Sequence, residues 1–333
     1  MRACWLLLLI VCCFHTATAQ LDSLFRLVQP RPFNGVVLIS QNGKTIYQLA
    51  HGVRGDKDSP PLQMEDQFII ASVSKQFTAV MVLQLVDKGM LQLNIPVKRY
   101  LPDLQYPWAD SVTIHQLLNH TSGLTSPNGI DLDAALAFPA GSRFAYANID
   151  YSLLEKILEK VSGQSFETLA NSLFQRYGLK HTTASLHAAH LVAGHKEMPD
   201  GSLHTNTGPY RIPLAPAGII TNAADLAKWN ELLHGGQLLS DSSYRHMTTN
   251  GSAYTHSVFG NNHYSYGIMS DENDGATAFW HTGYIDGGFI SLNLYYPAKH
   301  LSIVMLENVA YSTSNFPRAF FFEKQCRELA KKY

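Results

Sequence analysis

A chain of 333 residues, 46% hydrophobic and 15% charged, carries enough apolar material for a large core, which excludes an intrinsically disordered protein. Its formal net charge of -1 offers no electrostatic footprint for nucleic acid or an anionic membrane surface, so neither is expected as a partner. The length allows one large domain or two of medium size, and the expected partner is a small-molecule or peptide substrate.

The opening segment, MRACWLLLLIVCCFHTATAQ, has Arg2 in a short basic region, an apolar run from about Ala3 to Phe14, and Ala17-Thr18-Ala19 as a small-x-small cleavage site. It reads as a secretory signal peptide cut after Ala19, giving a periplasmic or secreted protein. A membrane anchor needs about 20 apolar residues and this run has roughly a dozen. No stable membrane span is therefore expected after cleavage. A lipoprotein attached through Cys12 is the alternative, disfavoured by the bulky Val11 before it. Cys4, Cys12 and Cys13 leave with the segment, so Cys326 alone remains and no intramolecular disulfide is expected.

From Phe33 to about Val53, two β-rich runs flank Gln41-Asn42-Gly43-Lys44, and Asn-Gly in that setting predicts a hairpin. Ser72 through Lys88 is apolar nearly all round and stops at Gly89, which predicts a buried helix. Residues 91–213 read as short helices and loops, including Ile114 to Asn119 and Ile149 to Val161, with few strand signals. Asn222 is the expected N-cap of a helix running to Leu233. Gly288 to Tyr296 and Leu301 to Glu307 read as strands around Pro297-Ala-Lys-His, and a helix from about Ser314 to Lys332 closes the chain. Strands at both ends with helices between them imply a sheet built from the two termini, from residues 20–90 and 214–333, around a helical domain of residues 91–213.

Three short motifs carry chemistry. Ser72-Val-Ser-Lys75 puts a hydroxyl and an amine on one face of the buried helix's first turn, where a desolvated lysine can serve as base to the serine. Alone the pattern is weak, since about one Ser-x-x-Lys is expected by chance in a chain of this length. Tyr146-Ala-Asn148, just before a helix, offers a proton shuttle and a side-chain amide, although taken alone packing of Tyr146 and capping by Asn148 explain it better. His281-Thr-Gly283 offers a donor, a hydroxyl and close backbone approach, although in a chain with 15 histidines a turn with an incidental histidine is the better reading of this motif alone.

In this order and context the three motifs resemble those of the serine β-lactamase and penicillin-binding protein superfamily, specifically the branch with class C β-lactamases, D,D-peptidases and related esterases. The stretches His115 to Leu124, Ala217 to Leu226 and Tyr266-Gly267 extend the likeness across about Phe33 to Asn308. The resemblance implies a β-lactamase/transpeptidase-like α/β (α+β) fold: an antiparallel sheet flanked by helices, with an all-helical second domain. It also implies an acyl-enzyme formed on Ser72, with Lys75 and Tyr146 moving protons and Asn148, His281, Thr282 and Gly283 binding substrate. The backbone N–H groups of Ser72 and Tyr284 would form the oxyanion hole. No cofactor or metal is expected, there being no His-Glu-x-x-His pattern, and the absence of Gly-x-Ser-x-Gly argues against an α/β-hydrolase.

The chain departs from the branch's β-lactamases at His281, where they generally carry lysine. That favours hydrolysis of a D-amino-acid peptide or an ester over β-lactam hydrolysis. If His281 binds a carboxylate as a cation, affinity should fall as pH rises through its pKa, near 6.5 when unperturbed. A non-catalytic binding or regulatory protein of the same fold is the alternative from a different class.

Overall fold

The computed structural model describes residues 19–125, 135–206, 208–249, 251–272 and 275–330. The leader up to Thr18, most of the segment Ser126 to Gly141, Asn250, and the end of the expected last helix at Lys332 lie outside the described residues. In chain order the elements are α1 (residues 19–25), β1 (Gly35–Gln41), β2 (Lys44–His51), β3 (Phe68–Ile69), α2 (Ser74–Asp87), α3 (Ile114–Leu118), α4 (Asn148–Ser162) and α5 (Phe166–Arg176). They continue with β4 (His195–Glu197), β5 (Leu203–Thr205), α6 (Leu214–Ala217), β6 (Ile220–Thr221), α7 (Ala223–His234), α8 (Asp241–Thr249), β7 (Ser252–His256), β8 (Gly260–Tyr264) and β9 (Met269–Asp271). The last are β10 (Ala278–Ile285), β11 (Phe289–Tyr296), β12 (Leu301–Glu307), β13 (Val309–Ala310), α9 (Phe316–Ala319) and α10 (Phe321–Ala330).

An antiparallel eight-stranded sheet in the order β2-β1-β12-β11-β10-β9-β8-β7 forms the centre. Both of its faces are covered. Val36 and Leu38 of β1 join the core shared with α2 and α7, whereas Val37 and Ile39 point into a second core shared with α1 and α10. Alternate residues of β12 divide in the same way, and this two-sided burial is why these strands read as unbroken apolar runs. The hairpin turns on Asn42 and Gly43, both at positive φ, which is the backbone an Asn-Gly turn favours. Asn222 caps α7 by accepting from the Asp225 N–H at 2.9 Å, and Gly89 ends α2 at φ 72°.

Several expectations need correction. Strands β7 and β8 give no strand signal in the sequence, which is polar there because they lie at the sheet's far edge. The middle segment holds a short hairpin, β4–β5, paired through β4 with β13. It has almost no apolar alternation to give it away. The C-terminal helix is broken at Phe320, where α9 ends at φ -106° and ψ 32°. Among the described residues no helix is long and apolar enough to cross a membrane.

Candidate active site

Ser72 stands in a single 3-10 turn, Ala71–Val73, between β3 and α2 rather than in the helix itself. Ala71 is held at φ 49°, a left-handed conformation costly for a residue with a Cβ. The strain turns the chain sharply, and hydrogen bonds over-determine it: Ile70 N–H donates to Ile219 O at 3.0 Å and Ser291 Oγ donates to Ile70 O at 2.8 Å. Strand β10 runs directly against this turn. A Cβ on Gly283 would lie 2.4 Å from Ile70 O, so only glycine allows the approach. His281, Thr282 and Gly283 lie inside β10, not in a turn before a strand, and the Gly283 backbone packs against Ile70 and Ala71, just before Ser72.

Lys75 is fully buried, one turn on from Ser72. Its Nζ lies 3.0 Å from Ser72 Oγ, 2.8 Å from Asn148 Oδ1 and 2.9 Å from Pro216 O. Both carbonyls accept only. A neutral amine has two N–H groups and one lone pair, so it satisfies both carbonyls and still accepts the Ser72 hydroxyl proton. Burial pushes the Lys75 pKa well below the usual lysine range, with the nearby Asp150 pulling it back. Asn148 begins α4, and its side chain reaches Lys75; Ala147, which makes no side-chain cap, occupies the N-cap position.

Tyr146 is 38% exposed as a residue, yet desolvation of its hydroxyl pushes its pKa upward, partly offset by hydrogen bonds to Ser72 and Tyr264. It stays a phenol. Lys75 Nζ sits 4.8 Å from its ring centroid. His281 is buried with both ring nitrogens engaged, Nδ1 at 2.6 Å from Thr282 O and Nε2 at 3.1 Å from Tyr264 Oη. A carbonyl cannot donate, so the proton resides on Nδ1 and Tyr264 donates to Nε2. Burial, followed by the charge of Lys75, pushes the His281 pKa down to about 3. The ring is neutral at ordinary pH, which removes the expected cationic route to a carboxylate.

The sequence reading assigned no role to the layer beneath. Asp150, fully buried, accepts from Ser122 Oγ at 2.6 Å and sits 2.8 Å from His120 Nδ1. Burial pushes the pKa of Asp150 upward, with the Ser122 hydrogen bond and Lys75 pulling it back, and burial pushes that of His120 downward. The His120 ring packs 4.4 Å from that of Tyr146 and 4.8 Å from that of Tyr264. The one available signal was an aspartate inside an apolar helix stripe, two residues after Asn148. Gly267 is a second such residue: at φ 67° it presses on the α2 backbone, where a Cβ would be 2.5 Å from Lys75 O.

The Beta-lactamase family matches residues 24–325 of this chain. The chain is 31% identical to Esterase EstB of Burkholderia gladioli over 189 residues, covering 46% of this chain and 48% of the esterase. It spans about three-fifths of the length of two relatives from Bacillus subtilis (strain 168). A solved penicillin binding protein from Bacillus halodurans superposes with a TM-score of 0.76 at 25% identity, covering 95% of this chain and 98% of that one. The D-amino acid amidase from Ochrobactrum anthropi SV3 shares the fold, with a TM-score of 0.79 at 19% identity over 96% of this chain and 97% of the amidase.

Proposed function

We propose, from the premise that this chain belongs to the Beta-lactamase family, that it is a serine hydrolase working through an acyl-enzyme on Ser72. The observation that carries the reading is the 3.0 Å contact between Ser72 Oγ and Nζ of a fully buried Lys75. With Asn148 Oδ1 and Pro216 O taking its two N–H groups, a neutral amine keeps its lone pair for the Ser72 hydroxyl proton. In acylation, the Ser72 proton passes to Lys75 as Oγ bonds to the acyl carbon. The oxyanion forms against the backbone N–H groups of Ser72 and Tyr284, donors fixed before the reaction and therefore effective in stabilising the developing charge. As the intermediate collapses, Tyr146 protonates the leaving group and regains a proton from the Lys75 ammonium. A water then attacks the acyl-enzyme, delivering its proton along the same path, and Ser72 is restored.

A phenol held protonated by burial favours this division of labour, with Lys75 as base and Tyr146 as proton donor. Asn148, already anchored to Lys75, presents its amide nitrogen to a substrate carbonyl; Thr282 and Gly283 line the acyl donor along β10, and His281 supports them as a neutral residue through Tyr264. The substrate class we favour is a D-amino-acid peptide or an ester, cleaved between an α/β part (residues 20–90 and 214–333) and a helical part (91–213). The fold of the amidase and the likeness to the esterase support that choice. The leader supports export with cleavage near Ala19.

The test is covalent labelling of the purified mature protein by a fluorophosphonate, followed by hydrolysis of a D-Ala-D-Ala peptide, a D-amino-acid amide, a p-nitrophenyl ester and a cephalosporin. Labelling should vanish in Ser72→Ala. Labelling that persists in that variant would sink the nucleophile, and a native protein that no acylating probe labels would favour a non-catalytic role.

A further inference from the structure

Strand β9 pairs with β10 only at Ala278–Trp280, so from His281 onward β10 has β11 on one side and an open edge on the other. Thr282 sits at that edge. Its Oγ1 lies 3.4 Å from Nε2 of His256, a residue at the end of β7 that is distant in sequence and buried among the rings of Tyr254, Phe259, Trp280 and Phe320.

The proton positions follow from the donors around the ring. His256 Nδ1 faces the backbone N–H groups of Val258 at 3.1 Å and Phe259 at 3.4 Å, and N–H groups only donate. Nδ1 is therefore an acceptor, and the ring proton of a neutral His256 is on Nε2. Burial and the positive charge of Arg327 keep it neutral, pushing its pKa down to about 4. Nε2–H then donates to Thr282 Oγ1. That occupies one lone pair of the hydroxyl and leaves the threonine's own proton free to donate elsewhere.

We propose that His256 is a positioning residue that turns the Thr282 hydroxyl proton toward the carboxylate of an acyl donor bound along β10, and so sets a preference for substrates bearing one. The proposal rests on the reading of Ser72 as nucleophile. His256→Asn keeps an acceptor where Nδ1 was, for the Val258 and Phe259 N–H groups, but drops the donor to Thr282. His256→Gln returns a donor within reach, and Thr282→Val removes the hydroxyl while leaving His256 in place.

The readout is protection of Ser72 from fluorophosphonate by an acyl-D-Ala-D-Ala peptide and by the same peptide with a C-terminal amide. His256→Asn should weaken protection by the carboxylate peptide about tenfold, the scale of one hydrogen bond to a charged group. Protection by the amide, the unprotected labelling rate and kcat on a neutral p-nitrophenyl ester should stay within about twofold, and His256→Gln should recover most of the loss. Thr282→Val should weaken protection by the carboxylate peptide at least as much, and adding His256→Asn to it should weaken that protection no further. Equal losses on both peptides in His256→Asn, additive losses in the double variant, undiminished protection by the carboxylate peptide in Thr282→Val, or a native protein that treats the two peptides alike would each overturn the proposal. A native protein that no fluorophosphonate labels overturns the Ser72 reading, and this one with it.

Discussion

Replacing Asn148 by aspartate puts a carboxylate oxygen where the amide oxygen now stands, 2.8 Å from Lys75 Nζ. At an effective dielectric constant of about 20, a charge pair at that distance attracts by about 6 kcal/mol. Burying the new carboxylate offsets several kcal/mol of this, leaving about 3 kcal/mol in favour of the ammonium. The sign is fixed: a negative neighbour raises the Lys75 pKa, so the neutral amine, and with it the base for Ser72, appears only at higher pH. Three kcal/mol is about a hundredfold at neutral pH, recovered as pH rises. The second-order rate constant for fluorophosphonate labelling, followed from about pH 5 to 10, isolates this effect because the reagent has no amide for Asn148 to bind. The acid limb of the profile should move to higher pH in Asn148→Asp. A variant of native thermal stability whose profile overlays the native one would refute Lys75 as the base.

Because His281 is neutral and its ring nitrogens are engaged, substrate affinity should be flat between about pH 5 and 8, even for carboxylate substrates; an affinity that falls with a midpoint near 6.5 would restore the cationic role. His234, stacked on Tyr295 at 4.5 Å, has its pKa pushed down by burial from 6.5 to about 3. The unfolded chain therefore takes up this proton first on acidification. Stability should be fully present above about pH 6.5 and fall toward pH 3 by about 1.4 kcal/mol per unit from this residue. Urea midpoints between pH 7 and 4 should decline less steeply in His234→Phe; parallel slopes would exclude the assignment. Gly267→Ala must force a Cβ to 2.5 Å from the Lys75 carbonyl at a φ that disfavours side chains, so soluble yield and Tm should drop and Ser72 labelling should slow. A stable, active alanine variant would show that α2 can yield there.

The elements that were legible in the sequence are those whose causes are local. Asn42-Gly43 encodes its turn through backbone preference, Asn222 caps α7 with its own side chain, and the apolar run after Ser72 ends where Gly89 permits a left-handed residue. Among the strands that escaped notice, β4, β5, β7 and β8 are short, polar and held by partners elsewhere in the chain, such as β13 for β4. Their pairing energy leaves no periodic mark on their own residues. The motif residues were found as residue types, and the fold brings Ser72, Lys75, Tyr146, Asn148 and His281 together around Lys75 and the Tyr146 ring.

Composition, local signals and motif order by themselves determined the α/β character of the chain, the places of α2, α3, α4 and α7, and the set of chemical groups available. Protonation states were decided only by tertiary structure. Whether Lys75 is an amine or an ammonium depends on the burial that distant segments impose on it, and whether His281 is a cation depends on Tyr264 and on every wall that excludes water from it. Desolvation is a property of the whole enclosure around a group. A motif names the atoms, and the enclosure sets the charges they carry.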